Sequence, residues 1–320
     1  MKILITGCAG FIGFHVTKYF LDKGYNVLGL DNLNSYYDIN LKKDRLNILK
    51  KSNNKKFTFL KVDISDKKKI DLLKKYKINV IIHLAAQAGV RYSLEQPHQY
   101  IQSNIQGFFN IINFAKIKKI KKIIYASSSS VYGNINKSVF SENLITNKPI
   151  QLYAATKSSN ELMAATYNYL YKISFVGLRF FTVYGEWGRP DMAIYNFTRK
   201  IKNNEHVELY NYGNNFRDFT YIEDVVLAVA KTFNFILKKN KINEIFNIGN
   251  SKSVSVRRYL KEIEKNLKIK AKYKLVGPQM GDMTKTKANI KKAAKLLKWK
   301  PKISFEKGIR NYVNWFNKYY

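Results

Sequence analysis

The sequence predicts an α/β protein: a doubly wound parallel sheet with a smaller, loop-rich α/β substrate lobe toward the C-terminus. Three observations predict it. Apolar runs alternate with amphipathic stretches through the first 180 residues, which is the β-α-β rhythm of a sheet covered by helices. A glycine-rich turn follows the first apolar run at once and opens into an amphipathic stretch, which makes the sheet Rossmann-like. After Tyr184 the rhythm breaks down and Gly, Asn, Trp and Pro become frequent.

Taken in order, Lys2–Thr6 reads as the first strand and residues 11–23, apolar at helical spacing, as the first helix. Strands follow at 26–30 and 57–62, a helix at 70–76 and a strand at 80–84. The pattern continues with a helix near 98–116, a strand at 122–127, a helix near 153–171 and a strand at 174–180. Segments 185–190 and 211–215 read as loops able to close over a ligand. A further strand at 245–248 returns to the sheet, so the domains interleave: 1–182 plus about 223–250 bind the nucleotide cofactor, and 183–222 plus 251–320 form the substrate lobe.

With 320 residues, 46% of them hydrophobic, the chain can bury one large core or two fused ones, and disorder on that scale is excluded. No stretch reaches the roughly 18 uninterrupted apolar residues that span a bilayer, and the start reads as a strand and not as a signal peptide. No membrane association and a cytoplasmic location are therefore expected. The single cysteine, Cys8, cannot form an internal disulfide and reads as a small packing residue. The formal charge of +35 resembles a nucleic-acid footprint. However, 48 Lys against nine Arg are spread over the whole chain beside abundant Asn, Ile, Tyr and Phe, the residues of A/T-rich codons. No clustered basic and aromatic motif accompanies the charge, so no nucleic-acid partner is expected, and no metal site is read. The positive field still attracts an anionic ligand.

The first strand runs into Gly7-Cys-Ala-Gly10-Phe11-Ile12-Gly13, where backbone amides and a helix N-terminus can receive a pyrophosphate. Side chains at the three glycines would obstruct the turn, the phosphate approach or the helix packing. Asp31, eighteen residues beyond Gly13, ends the second strand, where a carboxylate accepts from both hydroxyls of an adenosine ribose and repels a 2′-phosphate. The next basic residue in the chain beyond Asp31 is Lys42, so NAD is favoured over NADP. Asp63 and Ile64 after the third strand, and Leu84, Ala85 and Ala86 after the fourth, lie where the dinucleotide would pass. Spacing leaves a helix cap for Asp63 and plain packing for the alanines equally open.

Tyr153 and Lys157 stand four residues apart on one face of a helix, where the ammonium can lower the phenol's pKa and the phenolate can take a proton from a substrate hydroxyl. Tyr and Lys are abundant, and Tyr19 with Lys23 repeats the spacing on the first helix, where it reads as surface. What promotes Tyr153 is its place after the fifth strand and after the hydroxyl run 127–130, at the carboxyl end of a parallel strand. In a chain that supplies Lys almost everywhere, retained Arg marks positions that need a planar, bidentate fork. Arg91, Arg179, Arg189 and Arg217 lie at predicted strand ends, and each can equally be a structural arginine; Arg189 and Arg217 are the candidates for an anionic ligand.

Together these segments resemble the extended short-chain dehydrogenase/reductases, and most closely the UDP-glucuronate 4-epimerases. The blocks that carry the resemblance are 31–38 (DNLNSYYD), 87–93 (QAGVRYS), 127–133, 153–157, 179–185, 187–193 (WGRPDMA), 210–213 and 217–221. The resemblance implies bound NAD, with Asn32 beside Asp31 at its adenosine end, Tyr153 as base, Lys157 as its partner and Ser128 as the hydroxyl polarising the sugar oxygen. It places Arg91, Arg189, Met192, Ala193 and Arg217 at the UDP-sugar, with Asp282 a further candidate at the nucleotide ribose. It also implies the reaction: Tyr153 takes the proton of the 4-hydroxyl, hydride passes from C4 to NAD⁺, the 4-keto sugar turns over, and hydride returns to its other face.

The 4-keto intermediate of a uronate readily loses carbon dioxide. Related decarboxylases and dehydratases place acidic residues beside the reactive hydroxyl, where this chain has Ser129 and Ser130. Ser128, Ser129, Ser130 and Thr182 are therefore expected to hold the carboxylate. Two departures from the pattern stand out: Glu186 replaces a proline, and 287–289 is unusually basic. The alternatives are a 4-epimerase of UDP-glucose or UDP-N-acetylglucosamine and a non-catalytic NAD-sensing protein. Helices over 100–114 and 153–171 are apolar over more than one face, as in relatives that dimerise, so a homodimer is expected.

Overall fold

The computed structural model describes residues 1–52, 55–135 and 137–320. The first half alternates strands and helices: β1 (Lys2–Thr6), α1 (Phe11–Asp22), β2 (Asn26–Asp31), α2 (Ile39–Ser52), β3 (Phe57–Lys61), α3 (Lys67–Asp71) and β4 (Val80–His83). Two short helical turns, α4 (Tyr92–Glu95) and α5 (Pro97–Tyr100), lead through a π-helical segment (Ile101–Gln106) into α6 (Gly107–Ile117). Then come β5 (Lys122–Ser128), α7 (Leu152–Tyr171), β6 (Ser174–Phe180) and β7 (Thr182–Tyr184). The remainder comprises α8 (Ala193–Lys202), β8 (His206–Leu209), β9 (Phe216–Tyr221), α9 (Ile222–Leu237), β10 (Asn243–Ile248), β11 (Ser253–Ser255), α10 (Val256–Leu267), β12 (Lys272–Leu275), α11 (Lys291–Leu296) and α12 (Phe305–Tyr319).

Among the described residues seven parallel strands form the main sheet, in the order β10-β6-β5-β4-β1-β2-β3. The order reverses beside β1, and that switch point opens the crevice where such sheets bind ligands. Side chains of successive strand residues point to opposite faces. Ile3 and Ile5 accordingly join the core on the α1 and α9 side, while Leu4 joins the core beneath α6 and α7. The late strand expected over 245–248 does return, as β10, to pair with β6. Two smaller sheets, β11-β9-β7 and β12-β8, build the second lobe with α8, α10 and α12.

The structure adds elements the sequence rhythm did not separate. Helix α2 has inward positions taken by Lys42 and Arg45 as well as Leu41, Leu46 and Leu49, so no clean apolar stripe announces it. The helix expected near 98–116 is broken in register by its π-helical part. Among the described residues no helix is long and apolar enough to cross a membrane.

Candidate active site

One cleft along the carboxyl ends of β1, β2, β4 and β5 gathers most of the residues singled out above. At its floor the turn after β1 is folded tightly: the amides of Gly7 and Cys8 donate to the Leu30 carbonyl (2.7 and 3.1 Å), and that of Gly10 donates to the Gly7 carbonyl (2.9 Å). A Cβ on Gly13 would lie 1.9 Å from the Gly7 carbonyl oxygen, and one on Gly7, at φ +73°, would lie 2.8 Å from the Ala85 nitrogen. Gly10 caps α1 without a side chain and the first turn carries no acidic residue, so the positive end of the helix faces the cleft undiluted.

Asp31, at the end of β2, is nearly buried and accepts from the amides of Ala9 (3.1 Å) and Leu33 (2.9 Å). Burial pushes its carboxyl up, opposed by those amides and by the charges of Lys42 and Arg45. Lys42 lines the same cleft, its ammonium donating to the backbone and side-chain oxygens of Asn34 (2.8 and 2.6 Å); burial brings it down to about 8. Asn32 donates to Asp63 (2.8 Å), which also accepts from the amide and hydroxyl of Ser65 (2.9 and 2.7 Å). Burial would raise the Asp63 carboxyl, but those donors outweigh it and hold it below its ordinary value. The cap of α3 is Asp66, not Asp63. Ile64, Leu84, Ala85 and Ala86 complete this wall.

At the other end, the first turn of α7 carries Tyr153 to the mouth of β5. The phenol is raised by burial and drawn back by its hydrogen bond with the Ser128 hydroxyl and by the charge of Arg189. Lys157 follows one turn further along α7 and lines the same cleft. Its buried ammonium donates to the Ala126 carbonyl (2.9 Å) and is brought down to about 8, by desolvation first, with Glu161 opposing. Ser128 accepts from the Ser130 amide (3.2 Å), and Ser129, Ser130 and Thr182 line the same wall. Among the described residues of the cleft lining, the carboxylates are Asp31 and Asp63, both away from Tyr153.

The arginines separate sharply. Arg179 places its fork on Glu161 (2.9 and 2.7 Å) inside the protein, and Glu161 also accepts from Ser127 (2.6 Å). Arg189 lines the cleft together with Met192 and is held bidentately by Asp191 (3.0 and 2.8 Å), which accepts in turn from the Tyr36 hydroxyl (3.0 Å). Arg91, Ala193, Arg217 and Asp282 are not part of the lining. Arg217 pairs with Asp282 (2.8 Å), and Arg91 lies over the Tyr210 ring at 4.7 Å. Glu186 accepts from Tyr221 (2.6 Å), and the basic stretch at 287–289 bridges to Phe140 through its backbone.

Two positions escaped the reading of motifs. Asn104, in the π-helical segment, accepts from the Gln87 amide (2.8 Å) and donates to the Gln87 carbonyl and the Thr156 hydroxyl (3.0 Å each), tying the loop after β4 to α7. A break in helical register was its only signal. Arg45 is fully buried beneath the glycine turn. The argument that retained arginines mark special positions applies to it as well, but its helix was not recognised.

The family model described as GDP-mannose 4,6 dehydratase matches residues 4–312. A UDP-glucuronate 4-epimerase of Thermodesulfobacterium geofontis is 41% identical, with 98% of this chain and 95% of that protein covered. The crystal structure of a UDP-glucuronic acid 4-epimerase from Bacillus cereus, in complex with UDP-glucuronic acid and NAD, superposes with a TM-score of 0.93 at 33% identity over the full length of both chains. That of a UDP-glucose 4-epimerase from Thermotoga maritima with UDP-glucose gives 0.88 at 29% identity, covering 100% and 99%.

Proposed function

The chain belongs to the GDP-mannose 4,6 dehydratase family of the extended short-chain dehydrogenase/reductases, and on that premise we propose that it is an NAD-dependent 4-epimerase interconverting UDP-glucuronate and UDP-galacturonate. The observation that carries the choice is the wall facing Tyr153. It holds hydroxyls at Ser128, Ser129, Ser130 and Thr182, whereas the carboxylates among the described lining residues, Asp31 and Asp63, stand at the ends of β2 and β3. Without an acid or base beside the reacting carbon, elimination of water and loss of carbon dioxide lack their usual catalyst, whereas hydroxyls suit a sugar carboxylate that must be held and left unreacted.

The residues present fit NAD. The glycine turn has no room for side chains, the open end of α1 suits a pyrophosphate, and Asp31 suits the adenosine ribose. Asn32, Asp63, Ile64 and Leu84 to Ala86 would flank the adenine and the dinucleotide, and Lys157 the nicotinamide ribose. Bound there, NAD supplies a hydride acceptor that returns what it took, so the reaction has no net redox change. The chain's own part is proton transfer and positioning. Tyr153 takes the proton of the 4-hydroxyl, Ser128 holds the same oxygen, and Arg189 with Met192 lines the path of the diphosphate. Arg91, Ala193, Arg217 and Asp282, outside the lining, would meet the uridine end as the second lobe settles on it.

This reading keeps the division into 1–182 plus about 223–250 for the cofactor and 183–222 plus 251–320 for the sugar nucleotide. It also pairs two copies of the chain across α6 and α7, where Phe109, Leu162, Tyr169 and Leu170 are exposed, and it places the enzyme in the cytoplasm. Competition between UDP-glucuronate, UDP-glucose and UDP-N-acetylglucosamine tests the substrate. The uronate should win, and Thr182→Ala should erase much of that preference. An unchanged preference removes Thr182 from the carboxylate site, and a winning neutral sugar overturns the reading.

A further inference from the structure

Arg45 has no exposed surface, and among the described residues no carboxylate forms an ion pair with it. Its Nη1 donates to the Ala9 carbonyl and the Tyr37 hydroxyl (2.8 Å each), and its Nη2 donates to the Trp187 carbonyl (2.6 Å) and, more weakly, to that of Gly188 (3.4 Å). One guanidinium thus spans the glycine turn and the loop that brings Arg189 into the cleft. A buried cation with no direct ion pair is costly unless fixed dipoles solvate it, even with the charge of Asp31 near enough to be felt. Here those dipoles belong to both loops, so the guanidinium is fully solvated only while both loops keep their places. A lysine could not reproduce the bridge, because an ammonium lacks the planar fork that reaches two sides at once. The far end of the same loop is fastened to the cofactor side again, by Tyr36 on Asp191 (3.0 Å).

We infer that Arg45 is a positioning residue that couples the two ends of the cleft, so that filling the sugar-nucleotide end tightens the hold on the dinucleotide. The inference rests on the proposed function for the identity of the two ligands. Coupling between sites is reciprocal, and it can be read on the holoenzyme without any turnover.

The experiment follows NAD loss from the purified protein into an excess of an NAD-trapping dehydrogenase, with and without saturating UDP. UDP should slow the loss about tenfold in the unaltered protein and no more than about twofold in Arg45→Lys, within the usual range of coupling between sites. A purely structural role would lower the melting temperature of Arg45→Lys and leave the UDP effect intact, and that result overturns the inference. Should Arg45→Lys not fold, Tyr36→Phe cuts the outer fastening and leaves the Arg189–Asp191 pair in place: a diminished UDP effect supports the coupling and an undiminished one refutes it. Unaltered protein that binds NAD and UDP independently also refutes it, while protein that binds neither contradicts the proposed function itself.

Discussion

At the scale of single residues, the site depends on two groups with different tasks, the half-buried Tyr153 and the buried Lys157. Tyr153→Phe removes the proton acceptor and leaves the ring in place. Its kcat should fall by about 10³-fold with KM little changed, as steady-state kinetics would show, because positioned proton transfer contributes on that order. Lys157 has a pH signature in stability. Its folded-state value is about 8, whereas a lysine in the unfolded chain titrates near 10.4, roughly its reference value. Between those values the unfolded chain binds the extra proton, so this group's contribution to stability is complete above the upper value and is lost as pH falls through the lower one. Urea midpoints taken across that window should rise with pH for the unaltered protein, and the rise should shrink in Lys157→Met. Tyr153, Lys157 and the serine run were legible in the sequence because their meaning lies within a few residues of each. Arg45 was not, because all its partners but the Tyr37 hydroxyl are main-chain carbonyls, up to 143 residues away.

At the scale of elements, α7 has to stay locked to the sheet if Tyr153 is to meet Ser128. The lock is the buried pair between Glu161 on α7 and Arg179 on β6, with the Ser127 hydroxyl on the same carboxylate. Removing one partner leaves an uncompensated buried charge, so Glu161→Gln should cost about 3 kcal/mol or more in urea unfolding. The close approach of α1 to β1 is equally strict. Gly13→Ala would place a methyl against the Gly7 carbonyl, and the purified variant should lose the near-ultraviolet signature of bound NAD. Strands and helices of the first half were readable because apolar spacing reports burial directly. Helix α2 was not, since two of its inward positions are cationic, and neither was the π-helical turn at Asn104, which only shifts the register within a helix already expected there.

For the whole molecule, β10 returns to the main sheet beside β6, as the apolar run at 245–248 foretold. The small sheets and helices of the second lobe were less legible, because strands as short as β7 and β11 owe their pairing to neighbours far along the chain. The exposed apolar side chains on α6 and α7 predict a dimer by light scattering at micromolar concentration, and Leu162→Glu should shift it toward monomer. The central claim, that this cleft inverts C4 of UDP-glucuronate by a reversible oxidation, is tested most directly by NMR on the purified protein in D₂O with no NAD added. Oxidation and reduction at C4 by a retained cofactor should give UDP-galacturonate that keeps its original hydrogen at C4, with no released carbon dioxide. Deuterium at C4, a pentose or dehydrated product, or no conversion even after NAD is supplied would contradict it.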